Sequence, residues 1–97
     1  MSLDSEISSC RRKINKRKDA KEQIKKAIIN YENARDELGK IKNVELCEKL
    51  KTNIQTKINE LNNLLRNIDR EINSYNSKID KLNQEKMAEA NSLNGGI

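Results

Sequence analysis

The densest run of reactive side chains in the sequence is basic: Arg11-Arg12-Lys13-Ile14-Asn15-Lys16-Arg17-Lys18, followed by Lys21, Lys25 and Lys26. Cations gathered on one helix attract phosphate, of a nucleic acid or of a membrane surface, or pair with the carboxylates of a partner protein. Asp19 and Glu22 interrupt the run, and no aromatic residue stands within it to stack on bases. Ile7, Ile14 and Ile24 pass straight through, so the same segment also packs. Arg11, Arg12, Lys13 and Arg17 therefore read as a solvated basic face opposing acidic groups on a partner, with nucleic acid as the competing reading.

Other residue types offer less. Asp69 and Glu71, or Glu85 and Glu89, lie among Lys and Arg at spacings where ion pairing along a helix is their ordinary use. General acid–base work needs a walled pocket that shifts proton affinities, which a slab of two helices does not supply. The sequence has no His, and Cys10 and Cys47 lack metal-ligand spacing. No glycine-rich phosphate loop or nucleophile elbow is present. No catalytic residue, metal or cofactor is expected, and the chain is read as a non-enzyme.

The elements that would position these groups are helices. Among 97 residues, 36% are charged, 2% are aromatic and none is proline. That balance suits long exposed helices better than a thick globular core. A mean hydropathy of -0.97 also fits a disordered chain. Disordered chains lack sustained apolar periodicity, and this one has it. Alternate steps of four and three from Leu3 reach Ile7, Cys10, Ile14, Arg17, Lys21, Ile24, Ile28, Tyr31, Arg35 and Leu38. This is a heptad seam with three polar interruptions. The same walk from Val44 reaches Cys47, Lys51, Ile54, Ile58, Leu61, Leu65, Ile68, Ile72, Tyr75, Ile79 and Leu82, apolar at every stop from Ile54 onward. It then weakens through Lys86 and Glu89 before Leu93, and Asn94-Gly95-Gly96 reads as a frayed end.

The two seams do not share a register. The first, continued past Leu38, would land on charged Lys42 and Glu45, whereas the second uses Val44 and Cys47. The break predicts one antiparallel, coiled-coil-like helical hairpin over residues 1–97: helix one about 3–38, a turn about 39–43 and helix two about 44–93. Gly39 is expected to end the first helix in the left-handed conformation and Asn43 to cap the second. A single continuous helix through Gly39 is the alternative, favoured by Asp36 and Glu37, which sit poorly at a helix C-terminus. In the hairpin, facing residues have numbers that add to roughly 82. That pairs Ile28 with Ile54, Ile24 with Ile58, Ile14 with Ile68, Ile7 with Tyr75 and Leu3 with Ile79. Cys10 and Cys47 would lie on the order of 40 Å apart, as free, buried thiols.

Two helices cover each seam from one side only, so a bundle completed by a partner or a second copy is expected. Ile54, Ile58, Leu61, Leu65, Ile68, Ile72 and Tyr75 are the candidate partner-binding residues, shared with the fold itself. Leu46, Leu50, Leu64 and Ile29 lie off the seam and widen the apolar surface. Ala20, Ala27 and Ala34, spaced by seven, would admit a close neighbour along one flank. Tyr31 and Tyr75 both stand at seam stops, where an aromatic serves packing first and recognition second.

The two-helix layout and the Met1-Ser2-Leu3-Asp4-Ser5-Glu6-Ile7 start resemble the short accessory proteins that bind the helical N-terminal domain of LXG toxins. Those belong with the WXG-like hairpins of type VII secretion in Gram-positive bacteria. The resemblance spans nearly the whole chain and is one of pattern. It implies a targeting factor or chaperone that shields a toxin's apolar helices before export. Leu38-Gly39 stands where the WXG group has Trp-x-Gly. Tyr75 is followed by Ile79 where that group's export signal has an acidic residue four positions on, so the chain fits a targeting or stabilising partner better than a carrier of that signal. No apolar run suits a signal peptide or a membrane span, which points to the cytoplasm, or to export with the partner without a cleaved signal. A nucleic-acid-associated basic coiled coil and a purely structural homo-oligomer remain the alternatives.

Overall fold

A computed structural model describes residues 2–95, with side chains through residue 92. The chain is an all-α helical hairpin: α1 spans Leu3–Gly39 and α2 spans Glu45–Gly95. No strand occurs among the described residues. Gly96 of the expected frayed end lies outside them, while Asn94 and Gly95 continue the helix.

The start of α1 follows from its first residues. The Ser2 hydroxyl oxygen accepts a hydrogen bond from the Ser5 backbone N–H at 3.1 Å. It thereby satisfies one of the first-turn donors that lack a helical partner. The Glu6 N–H donates to the Ser2 carbonyl at 3.1 Å, which closes the first turn. Asp4 and Glu6 stand in that turn, adding negative charge where the helix dipole favours it.

The turn differs from the sequence expectation at both ends. Gly39 is the last residue of α1 and has no positive φ. The helix instead tightens into a narrower turn to close. The Lys40 N–H donates to the Glu37 carbonyl at 3.2 Å and the Ile41 N–H to the Leu38 carbonyl at 3.1 Å. The left-handed residue is Asn43, with φ 60, so the chain reverses one residue before the cap position. Asparagine tolerates that conformation better than other side-chain-bearing residues. Val44 then occupies the N-cap, its carbonyl accepting from the Glu48 N–H at 3.2 Å. The poorly placed Glu37 is offset by Lys40, 2.9 Å away. A Cβ added at Gly39 would meet nothing within 4 Å. Gly39→Ala is therefore expected to stabilise the chain by about 0.5–1 kcal/mol through helix propensity. Asn43→Val is expected to destabilise it by about 1–2 kcal/mol. Paired thermal melts by circular dichroism check both signs.

The hairpin divides into two compact units, each built from a stretch of both helices. The unit of Met1–Lys18 with Asp69–Ile97 holds Ile7, Cys10, Ile14, Ile72, Ile79 and Leu82 buried. Full burial of such side chains contributes about 1.5–3 kcal/mol each. The unit of Asp19–Ile68 buries only Ile28, Ile58 and Ile68. Of its remaining apolar seam residues, Ile24, Leu38, Cys47, Ile54, Leu61 and Leu65 are half-buried, and Tyr31 is 37% and Val44 43% exposed. One unit has a closed core, the other an open one.

Cross-helix contacts correct the expected register. Asp4 pairs with Lys86 at 2.6 Å and Arg17 with Glu71 at 2.6 Å. Lys13 lies 5.6 Å from the Tyr75 ring centroid, and Arg35 donates to the Gln55 side-chain oxygen at 2.9 Å. These numbers add to 88–90 rather than 82. The sliding amounts to about one heptad, because the first turn and a half of α2 extends past the end of α1. Ile7 therefore stands at the level of Leu82, Cys10 of Ile79 and Ile28 of Leu61, in place of the pairs expected above. Apolar still meets apolar, because a shift of one repeat preserves the seam.

The polar stops are accommodated by length. Arg17 lays its stem along the seam and turns its head outward. Its Nε donates to Glu71, its Nη1 donates to the Lys13 carbonyl at 3.2 Å, and its guanidinium lies 4.8 Å from the Tyr75 centroid. Both cysteines are free thiols; Cys10 is buried as expected, but Cys47 is only half-buried, since the stretch around it lies beyond the end of α1. A thiol reagent is expected to modify Cys47 within minutes in native buffer and Cys10 only on unfolding. Mass mapping of the adducts reads the order.

Candidate interaction surface

The sequence-derived partner residues turn out to be seam residues. Ile58, Ile68 and Ile72 are buried within the chain itself, and Ile54, Leu61, Leu65 and Tyr75 are half-buried. Tyr75 is further covered by Lys13 and Arg17, so its ring serves local packing. These positions hold the hairpin together and leave little side-chain surface to offer.

Apolar surface is exposed elsewhere. Leu46 is 65% exposed and Ile29 56%, and Leu50, Leu64, Tyr31, Ile41 and Val44 are also exposed. All seven lie in the Asp19–Ile68 unit. In the other unit Met87 alone, among the described residues, is a large exposed apolar side chain.

Helix geometry sorts these residues into faces. At about 100° per residue, Leu50 and Leu64 fall on one flank of α2, about 60–100° from its seam, and Leu46 falls farther round on the same side, about 130° from it. On α1, Ala20, Ala27 and Ala34 fall about 70–110° to one side of the seam, with Tyr31 between them and the seam. Because the helices run antiparallel, the two flanks face the same side of the hairpin. Ile29 falls on the opposite side, with Arg35, Asp36, Lys51 and Gln55, which line a groove of about 600 Å³. On one broad side of the Asp19–Ile68 unit the exposed leucines thus stand with the alanine flank, with Lys57 and Glu60 between Leu50 and Leu64 and with Leu46 and Leu50 past or level with the end of α1. Ala20 and Ala34 are exposed and Ala27 is half-buried, so the α1 flank presents small side chains, with Leu64 near the level of Ala27 on the α2 flank. Each flank was visible in the sequence, but their joint placement needed the hairpin.

Lys57 and Glu60 add no net charge to this side, since they pair with each other at 3.2 Å. The basic face lies in the other unit, where Arg11, Arg12 and Lys13 are exposed and Arg17 is half-buried. Arg17 is committed to Glu71, which leaves Arg11 and Arg12 as the better-placed cations for a partner. A groove of about 480 Å³ beside Tyr75 is lined by Arg17, Arg70, Glu71, Ser74 and Lys78. Among the described residues, no three His, Cys, Asp or Glu side chains gather as a metal site, and no helix is long and apolar enough to cross a membrane.

No protein-family model, curated protein or solved structure matches the chain.

Proposed function

We propose that the chain is a non-catalytic helical adaptor or chaperone that binds a helical partner through the exposed leucine side of its Asp19–Ile68 unit. The observation that carries this reading is the exposure of Leu46, Leu50 and Leu64 on the same side as the Ala20, Ala27 and Ala34 flank. Exposed leucines at helical spacing are disfavoured by water and are covered when another helix lies along them. The alanines allow that helix to approach closely. The likeness of layout to accessory proteins of LXG toxins supplies the partner class: the helical N-terminal domain of such a toxin, held in the cytoplasm before type VII export.

Affinity purification of the tagged chain from its host, followed by reconstitution of the recovered partner from purified components, tests the reading. A helical partner is expected, bound by the unaltered chain and released by Leu46→Glu with Leu64→Glu. A partner that binds this variant as tightly as the original contradicts the assignment of the face.

A nucleic-acid role has one specific observation in its favour, the exposure of Arg11, Arg12, Lys13, Lys16 and Lys18 along α1. A gel shift at physiological salt separates the two readings. Specific binding with a steep salt dependence would favour nucleic acid, and its loss in Arg11→Glu with Arg12→Glu would locate it.

A further inference from the structure

We infer that the groove beside Tyr75, in the unit of Met1–Lys18 with Asp69–Ile97, is a binding site for a phosphate monoester group. It lies in the closed unit, which the function proposed above does not use.

Like charges meet across the hairpin here. Lys13 and Lys78 each precede a buried seam residue, Ile14 on α1 and Ile79 on α2. In an antiparallel pair these positions stand on the same flank, where facing helices ordinarily set opposite charges. Both residues lie beside one ring: the Lys13 ammonium is 5.6 Å from the Tyr75 centroid, and Lys78 lines the groove with Tyr75. Lys78 has no carboxylate partner among the described residues. Two cations placed this way repel, and an anion between them removes the repulsion. A local rule broken at one point of a regular element is expected where a site is.

The groove as a whole carries the same sign. Its volume is about 480 Å³, and Arg17, Arg70, Glu71, Ser74, Tyr75 and Lys78 line it. Three cations against one carboxylate leave the lining at +2, and Lys13 beside Tyr75 adds another positive charge. Glu71 accepts from the Arg17 Nε at 2.6 Å, which blunts its repulsion of an incoming anion. That bond and the one to the Lys13 carbonyl use two of the five N–H donors of Arg17. The Ser74 hydroxyl supplies a neutral donor. Buried Ile14, Ile72 and Ile79 hold the two helices together at this level, so the donors are positioned before a ligand arrives.

Charge selects the ligand class. A phosphate monoester carries nearly two negative charges at neutral pH and three strong acceptor oxygens, which balances the lining. A phosphate diester, as in a nucleic-acid backbone, carries one, and so does a carboxylate. Arg17 and Lys13 lie over the Tyr75 ring at 4.8 and 5.6 Å, so it offers a base little platform for stacking.

Heteronuclear NMR of the full chain tests the site, at about pH 8, where a monoester is a dianion, and at an ionic strength held constant with chloride. Inorganic phosphate is expected to shift the amide signals of Arg17, Arg70, Ser74 and Lys78 saturably, in the millimolar range. Lys13→Gln with Lys78→Gln is expected to weaken binding about tenfold or more. Arg11→Gln with Arg12→Gln, on exposed cations outside the groove, is expected to leave it unchanged. Glycerol phosphate and a phosphoserine peptide, titrated side by side, identify the source of the group. Tighter binding of the peptide assigns a phosphorylated protein, and equal binding a small phosphorylated molecule. Dimethyl phosphate, a diester, is expected to give no saturable shift; binding as tight as that of the monoester overturns the inference. So do shifts that never saturate, or equal binding by the Lys13, Lys78 variant, since either means general screening of surface charge.

Discussion

Ile58→Asp is expected to abolish the fold, with loss of most of the helical circular dichroism signal at room temperature. Ile58 is 4% exposed and belongs to the unit with only three buried side chains, so no spare core remains to compensate. A carboxylate at that position would be buried in the seam, where the cation one turn away, Arg35, already donates to Gln55 and pairs with Asp36, and burying a poorly paired charge costs several kcal/mol. A single-layer core two helices wide leaves only a small reserve of net stability. Ile58→Ala, which removes bulk without adding charge, is expected to lose about 2–4 kcal/mol and to leave a partly folded population. Urea titration of the two variants beside the unaltered chain measures the order. A folded Ile58→Asp would mean that α2 is not packed through this residue.

Leu46→Glu with Leu64→Glu is expected to do the opposite: keep the fold and lose the partner. Leu46 is 65% exposed and Leu64 44%. Charging two such surface positions changes stability by no more than about 0.5 kcal/mol each. In the complex each would be forced against an apolar helix. Two such losses of about 2 kcal/mol, taken as less than additive, weaken binding on the order of 100-fold or more. Titration calorimetry of the recovered partner against both chains reads the affinity, and circular dichroism verifies the fold. Unchanged affinity with intact helices would remove the face from the account.

Most of the fold is legible in the sequence because a heptad seam is a strong signal. Every stop from Leu3 to Leu38 is buried or half-buried except Tyr31, and every stop from Cys47 to Leu82 is covered. Even the polar stops Arg17, Lys21 and Arg35 are half-buried, since long stems cover apolar surface while their heads reach water. Register is not legible from the seam. A repeat of seven matches itself when displaced by seven, so a sum near 82 and one near 89 place equally apolar residues opposite each other. What decides is the path of the turn. That depends on Asn43 rather than Gly39 taking the left-handed conformation, a choice between two tolerant residues four positions apart.

The interaction surface was legible only in fragments. The strongest periodic residues, Ile54 through Ile72, stand out in the sequence because they make the hairpin, and for that reason the hairpin covers them. The leucines at 46, 50 and 64 are less regular, with Lys57 and Glu60 breaking their line, as suits a surface that must also survive exposed. Their relation to the alanines on α1 spans two helices and depends on the antiparallel hairpin, which one-dimensional spacing does not contain. The basic run was legible as a cluster, but Arg17 separates from it once Glu71 is seen across the hairpin.

Hydroxyl-radical footprinting of Leu46, Leu50 and Leu64, in the chain alone and with the recovered partner added, tests the binding surface most directly. Oxidation of all three side chains is expected in the chain alone, falling several-fold on complex formation, while Met87 stays reactive in both states. Undiminished oxidation at the three leucines in a saturated complex would contradict the account.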